Sequence, residues 1–216
     1  MEPKARYAKE LQLTKQNRTR QILESAERVF TVKGIENATM LDVAKEAQLG
    51  VATVFRFFPR KDKLIAAVAA GKLEVVLKSF REIAARPASC LEKVEALFDN
   101  SITMLHDQDA HSVKLLENFE NYVAHYDEPL EDIESFNAVY REISKTFASI
   151  VEQGVRDGSV RPDLDVRETL ITLVNAFSIF ARKLSLQKNI LIVEQDMPAE
   201  DQLVILKRMF IGYLRG

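Results

Sequence analysis

Thr53, Arg56, Arg60 and Lys61 put a hydroxyl, two guanidinium forks and an ammonium into one short stretch, with Thr39 shortly before it. Those groups suit phosphate oxygens and the edges of nucleic-acid bases: arginine forks onto two acceptors, lysine supplies a point charge, and threonine donates and accepts. Arg56 is the one side chain on its short predicted helix that can fork onto a guanine edge or a phosphate. Val51 and Ala52, one turn earlier, have the size and polarity to read thymine methyls. Catalytic constellations are missing. No HExxH, phosphate loop, nucleophile elbow or paired-carboxylate helix motif occurs, so the chain reads as a non-enzyme. The three histidines, His106, His111 and His125, lack a spacing that would fix a metal on one helix face. A lone cysteine, Cys90, excludes an intrachain disulfide and a metal cluster, and no cofactor is implied.

The elements that position these groups lie in residues 39–64, TMLDVAKEAQLGVATVFRFFPRKDKL. A helix should open at Thr39, with Asp42 three residues on completing a capping box. Val43, Ala44 and Ala47 then share its inner face, and the two small alanines let a second helix cross close by. Leu49 plugs the turn, and Gly50 caps a second helix from about Val51 to Phe58. That helix turns Val54 and Phe58 inward and leaves Val51, Ala52, Thr53 and Arg56 outward. A basic restart at Lys61 begins the next helix, running to about Ala84. This is the shape of a helix-turn-helix DNA reader.

These residues resemble the TetR (tetracycline-repressor-type) family of one-component regulators. The match is ungapped from the preceding helix, ILESAERVFTVKGIENATM, through VAKEA at 43–47 to Thr53-Val54-Phe55, Phe58, Lys61, Asp62 and Leu64. It covers roughly residues 18–66. The resemblance implies an all-α protein of about nine helices. Residues 1–64 would form a three-helix DNA-binding domain with an amino-terminal arm, and residues 65–216 a helical domain for ligand binding and dimerisation. It implies DNA contact by Thr39, Val51, Ala52, Thr53, Phe55, Arg56, Arg60 and Lys61. Arg18 and Arg20 are candidates to reach backbone or minor groove from the arm. Four positions depart from the family pattern. Gln48 stands at the turn glycine, so a non-glycine residue is expected in left-handed backbone. Gly50 replaces a serine cap, Phe55 a tyrosine whose hydroxyl would bind phosphate, and Arg60 a small polar cap, bringing a cation to the same backbone.

Charge is distributed in the same sense. The whole chain carries −2, but residues 1–64 hold 13 Lys and Arg against 8 Asp and Glu, whereas residues 65–216 hold 17 against 24. A basic module precedes an acidic body, and basic charge is what a polyphosphate backbone attracts. The composition, 47% hydrophobic and 29% charged over 216 residues, is that of a globular chain with a sizeable core. No apolar run long enough to span a membrane and no signal peptide is read, so a cytoplasmic protein without a membrane partner is expected.

Scarce glycine and proline favour long helices throughout. Ser89-Cys90-Leu91-Glu92 forms a capping box opening a helix with Val94, Leu97, Phe98, Ile102 and Leu105 at helical spacing. Asp109 should cap the next, and Pro129 should sit in the first turn of a long helix ending near Gly158. Asp165 and Glu168 open another, whose apolar surface from Leu170 to Leu184 is wider than one core stripe requires. A last helix starts around Pro198–Glu200. The final two helices look like a homodimer interface, which would set two readers about one duplex turn, roughly 34 Å, apart on a palindromic operator. The family resemblance also implies a small-molecule effector in the body, apolar or aromatic given its phenylalanines, with repression relieved on binding. His106, His111, Asn118, Tyr122, His125, Tyr126, Asn137 and Phe180 are the candidate ligand contacts. A nucleoid or structural DNA-binding protein without an effector is the alternative.

Overall fold

The structure, a computed structural model, describes residues 3–104, 110–128, 130, 132–187 and 197–215. Among them, nine helices and no strand occur: α1 Pro3–Lys33, α2 Met40–Glu46, α3 Val51–Phe57, α4 Lys61–Ala84, α5 Cys90–Met104, α6 Ala110–Val123, α7 Glu134–Asp157, α8 Val166–Gln187 and α9 Ala199–Arg215. None is long and apolar enough to cross a membrane. The all-α expectation holds.

Local chemistry explains most of the boundaries. Thr39 caps α2 in a reciprocal box: its hydroxyl accepts from the Asp42 backbone N–H, and the Asp42 carboxylate accepts from the Thr39 N–H at 3.0 Å. Ser89 and Glu92 repeat the device at α5, and Asp165 accepts from the Glu168 N–H at 2.9 Å to open α8. Gly34, at φ 79°, ends α1 in the left-handed region that glycine enters without a Cβ penalty. The expected helix start near Pro129 is not where α7 begins. Leu130 is buried, residues 132–133 form a turn, and the helix starts at Glu134. Leu130 is drawn into a hydrophobic core and Asp132 into an ion pair, and both hold the chain out of the helical path. Pro129 and Asp109 lie outside the described residues.

The chain forms two compact units. The first comprises Met1–Leu73 and Lys114–Ala138, so α6 and the segment after it join α1, α2 and α3. Its core gathers Ile22, Ala26 and Phe30 of α1, Val43 and Ala44 of α2, Val54 and Phe58, Leu64 and Ile65 of α4, and Leu115, Phe119 and Leu130. Phe136 tilts against Phe119 with ring centroids 4.7 Å apart. The boundary expected at residues 64/65 falls inside α4, whose first half lies in this unit and whose second half lies in the other.

The second unit comprises Glu74–Val113 and Val139–Gly216, and is built on α5, α8 and α9. Phe98 of α5 stacks on Phe177 of α8 at 4.4 Å and tilts against Phe210 of α9 at 5.9 Å. Gly154 of α7 is needed where α5 and α8 press close. A Cβ there would meet Cys90 Sγ at 2.6 Å and Val166 Cγ1 at 3.3 Å. Lys93 is buried beside this crossing, with its ammonium donating to the Ala84 carbonyl and to Gln153 Oε1 at 2.8 and 2.7 Å.

Candidate nucleic-acid interface

The reading helix α3 has two faces. Val54 is fully buried and Phe58, just past the helix, nearly so, while Val51, Ala52, Phe55 and Arg56 are exposed and Thr53 is half-exposed. Burial of one stripe orients the rest, so the sequence pattern alone aims these side chains outward. Gly50 supplies the first carbonyl of the helix, at 2.8 Å from the Thr53 N–H, and no side chain caps this end. Its amide donors and the positive end of the helix dipole stay open to an anion. The preceding turn is held by Gln48 at φ 53°, a left-handed conformation in a non-glycine residue, as expected from its position. Arg56 lies over the Phe57 ring at 5.7 Å, which restricts the guanidinium without occupying its donors.

The cations after α3 are positioned from other elements. The Lys61 ammonium donates to the Glu36 carbonyl at 2.8 Å, and burial pushes its pKa down while Asp62 and Glu36 push it back. Arg60 Nε and Nη2 reach Asp132 Oδ2 at 3.1 and 2.5 Å, with Lys63 at 3.9 Å from the other oxygen of that carboxylate. Asp62 accepts from the Tyr122 hydroxyl at 2.9 Å, and the Tyr126 hydroxyl lies 2.6 Å from that of Tyr122. Burial, followed by these hydrogen bonds, pushes the Tyr122 phenol up, so it stays a neutral donor to the carboxylate. At the other end of the reader, the Thr39 hydroxyl is engaged with Asp42, which also pairs with Lys33 at 2.5 Å. Lys33 and Thr39 hold the Asp42 carboxyl down to about 2.

The described candidate ligand residues are divided between the two units. Asn118, Tyr122, His125, Tyr126 and Asn137 belong to the first unit, and Phe180 to the second. Tyr122 is engaged with Asp62 and Tyr126 with Tyr122, and His125 Nδ1 is 2.6 Å from the Asn121 carbonyl on an exposed stretch. His106 and the His111 side chain lie outside the described residues. Among the described residues no group of three or more His, Cys, Asp or Glu could hold a metal.

The second unit instead contains a cleft of about 550 Å3 between α4, α7 and α8. Phe80, Ile143, Phe147, Val151, Ile171 and Val174 form its apolar wall, with Tyr140, Asn175, Arg167 and Glu152 as polar groups. None of these residues was among the sequence candidates. The signal was present in α7, where Tyr140, Ile143, Phe147 and Val151 recur at helical spacing, but spacing alone does not separate a cleft wall from a core face. Asp132 was also missed. Its partner Arg60 is 72 positions away in sequence, beyond the reach of any local pattern.

Comparison with known proteins agrees with this geometry. The sequence profile described as "Bacterial regulatory proteins, tetR family" matches residues 22–68, which run from the buried stripe of α1 through the first turns of α4. The HTH-type transcriptional repressor KstR2 of Mycolicibacterium smegmatis is 28% identical over 155 residues, 69% of this chain and 71% of the relative. An HTH-type transcriptional regulator of Staphylococcus aureus is 36% identical over 69 residues, 32% of this chain and 37% of that one. In fold, the chain is similar to the transcriptional regulator FadR from Bacillus subtilis in complex with stearoyl-CoA. The TM-score is 0.67 at 16% identity, covering 89% of this chain and 97% of the other. The ketosteroid transcriptional regulator KstR2 of Mycobacterium tuberculosis gives 0.62 at 18% identity, covering 92% and 95%. These likenesses favour a transcriptional regulator over a nucleoid protein or an enzyme. Residues 22–68 thus match the tetR family of bacterial regulatory proteins, and with its helix-turn-helix reader and all-α body the chain is a DNA-binding transcriptional regulator similar to the repressor KstR2.

Proposed function

We propose that this regulator is a cytoplasmic homodimeric repressor that reads a near-palindromic operator and is released by a small molecule with an apolar or aromatic body. The observation that carries this reading is the outward face of α3, where Val51, Ala52, Thr53, Phe55 and Arg56 stand clear of the core beside an uncapped helix start. Arg56 and Thr53 contact base edges or phosphate in the major groove, and Val51 and Ala52 contact thymine methyls. Phe55, lacking a hydroxyl, offers only an apolar edge. Thr39, Arg60 and Lys61 address phosphate. With so few polar groups on the helix, sequence-dependent duplex shape contributes much of the preference.

Dimerisation is assigned to α8 and α9. Ile179, Ile205, Met209 and Tyr213 leave a large apolar area in water on these two helices, and Ile179 is 69% exposed. A second copy covering this face would form a four-helix bundle. For the effector, the α4–α7–α8 cleft is favoured over the dispersed sequence candidates. Its apolar wall suits a hydrocarbon or ring, and two proteins of similar fold hold stearoyl-CoA and isovaleryl coenzyme A. Residues 1–64 then act as the reader and 65–216 as the effector-binding and dimerising part. Occupancy shifts the population of α4 positions, which needs only a few kcal/mol of differential affinity.

Anisotropy titrations of a selected operator test the reading. Arg56→Ala should flatten discrimination at one base pair in each half-site, and acyl thioesters or aromatic acids should release wild-type protein. Unchanged discrimination in the variant would remove Arg56 from the reading role. Release that persists after Phe147→Trp fills the cleft would move the effector elsewhere.

A further inference from the structure

The reader does not begin where the family profile begins. Helix α1 runs unbroken from Pro3, five turns upstream of the first buried core residue, Ile22. Residues 1–20 hold six Lys and Arg against two Asp and Glu. Lys9 and Lys15 have no carboxylate partner among the described residues, and Arg18 and Arg20 donate to the amide oxygens of Gln21 and Asn17 at 3.2 Å. No carboxylate among the described residues therefore offsets these four cations. Gln21 fixes where that helix departs, for its Nε2 donates to the Ala47 carbonyl at 2.8 Å, at the turn that leads into α3. The extension thus leaves from the edge of the reader that presents the uncapped start of α3.

Resting on the reading of α3 as the DNA reader, we propose that the upstream part of α1 is a second, sequence-independent interaction surface that lies along the duplex flanking each half-site. Charge complementarity decides the partner. Lys9 and Arg20 are eleven residues apart, about three turns, and share one side of the helix, whereas Lys15 and Arg18 project to the other. A helix lying along a groove meets a phosphate strand on each side, and this distribution serves both strands. From Tyr7 to Arg20 the helix extends about 20 Å, roughly six base pairs at 3.4 Å each. Phosphate contact requires no base reading, so the flanks contribute affinity and salt dependence without adding to the operator sequence.

The test compares full-length wild type, Lys9→Gln/Lys15→Gln and Lys9→Arg/Lys15→Arg, after thermal melts have matched the three proteins. Each is titrated with salt on a random-sequence 40-base-pair duplex, on the selected operator with twelve-base-pair flanks, and on that operator trimmed to its half-sites. The Gln variant should show a slope of log affinity against log salt shallower by roughly 0.9 per lost phosphate contact on the random and flanked duplexes. The Arg variant should restore it, and all three proteins should coincide on the trimmed operator. Equal slopes for wild type and Gln variant on the random duplex, or a difference that survives trimming, would overturn the proposal. So would sedimentation of the wild type alone with phosphatidylserine vesicles alongside equal DNA slopes, which would mark a membrane-facing helix. The random duplex needs no operator, so failure of α3 as a sequence reader and failure of the flanking contact are recorded separately.

Discussion

Gln48, Thr39 and Asp42 carry the reader's geometry in their own backbone and caps. Gln48 sits at φ 53° without being glycine, so Gln48→Gly should remove a left-handed cost of about 1 kcal/mol, partly offset by the added chain entropy of glycine. A small rise in melting temperature is expected, and a marked fall would show that the Gln48 side chain stabilises the turn. Thr39→Ala should cost about 1 kcal/mol in denaturant unfolding by breaking the capping box. Asp42 adds a pH dependence with a defined sign. Its folded pKa is depressed, chiefly by the Lys33 hydrogen bond and then by Thr39, so its contribution is present above the unfolded value of 3.8 and is lost as pH falls towards about 2. In Asp42→Asn the acid loss of stability across that window should be smaller than in wild type. The cap and the turn were legible in the sequence, because a capping box and a turn position are local patterns that three or four residues specify, whereas the Lys33 partner of Asp42, nine residues upstream, was not.

At the scale of elements, the start of α4 is fastened twice within the first unit, by Arg60 to Asp132 and by Asp62 to Tyr122. The carboxylate of Asp132 neutralises a cation that phosphate would otherwise meet. Asp132→Asn should therefore bind operator more tightly at low salt, with a slope steeper by about 0.9 per protomer. Weaker binding would mean that Asp132 aims Arg60 at the backbone instead of competing for it. In the second unit, Gly154→Ala should destabilise by about 1–3 kcal/mol, since the new methyl would collide with Cys90 Sγ and crowd Val166. The helices themselves were legible from periodicity and caps, down to the α4 limits at Lys61 and Ala84. The start of α7 was not. Pro129 gave a proper local signal for a helix start, but burial of Leu130 and the Arg60–Asp132 pair, both long-range, displaced the start to Glu134. The cleft escaped for the same reason. Ile143, Phe147 and Val151 look like core residues until the neighbouring helices are in place.

The molecule as a whole pairs a basic reader with an acidic remainder, +5 against −7 in the sequence. Ile179→Glu combined with Met209→Glu should shift the protein to monomer in analytical ultracentrifugation and weaken operator binding much more than binding to a single half-site, because coupling of two readers supplies the avidity. Monomer with undiminished operator affinity would uncouple this face from recognition. The central claim is that α3 reads sequence as one of a symmetric pair, and selection of bound sequences from random duplex DNA tests it most directly. The expected result is a near-palindrome whose half-sites lie about one duplex turn apart, with affinity falling steeply as salt rises. Binding without any enriched motif would contradict it.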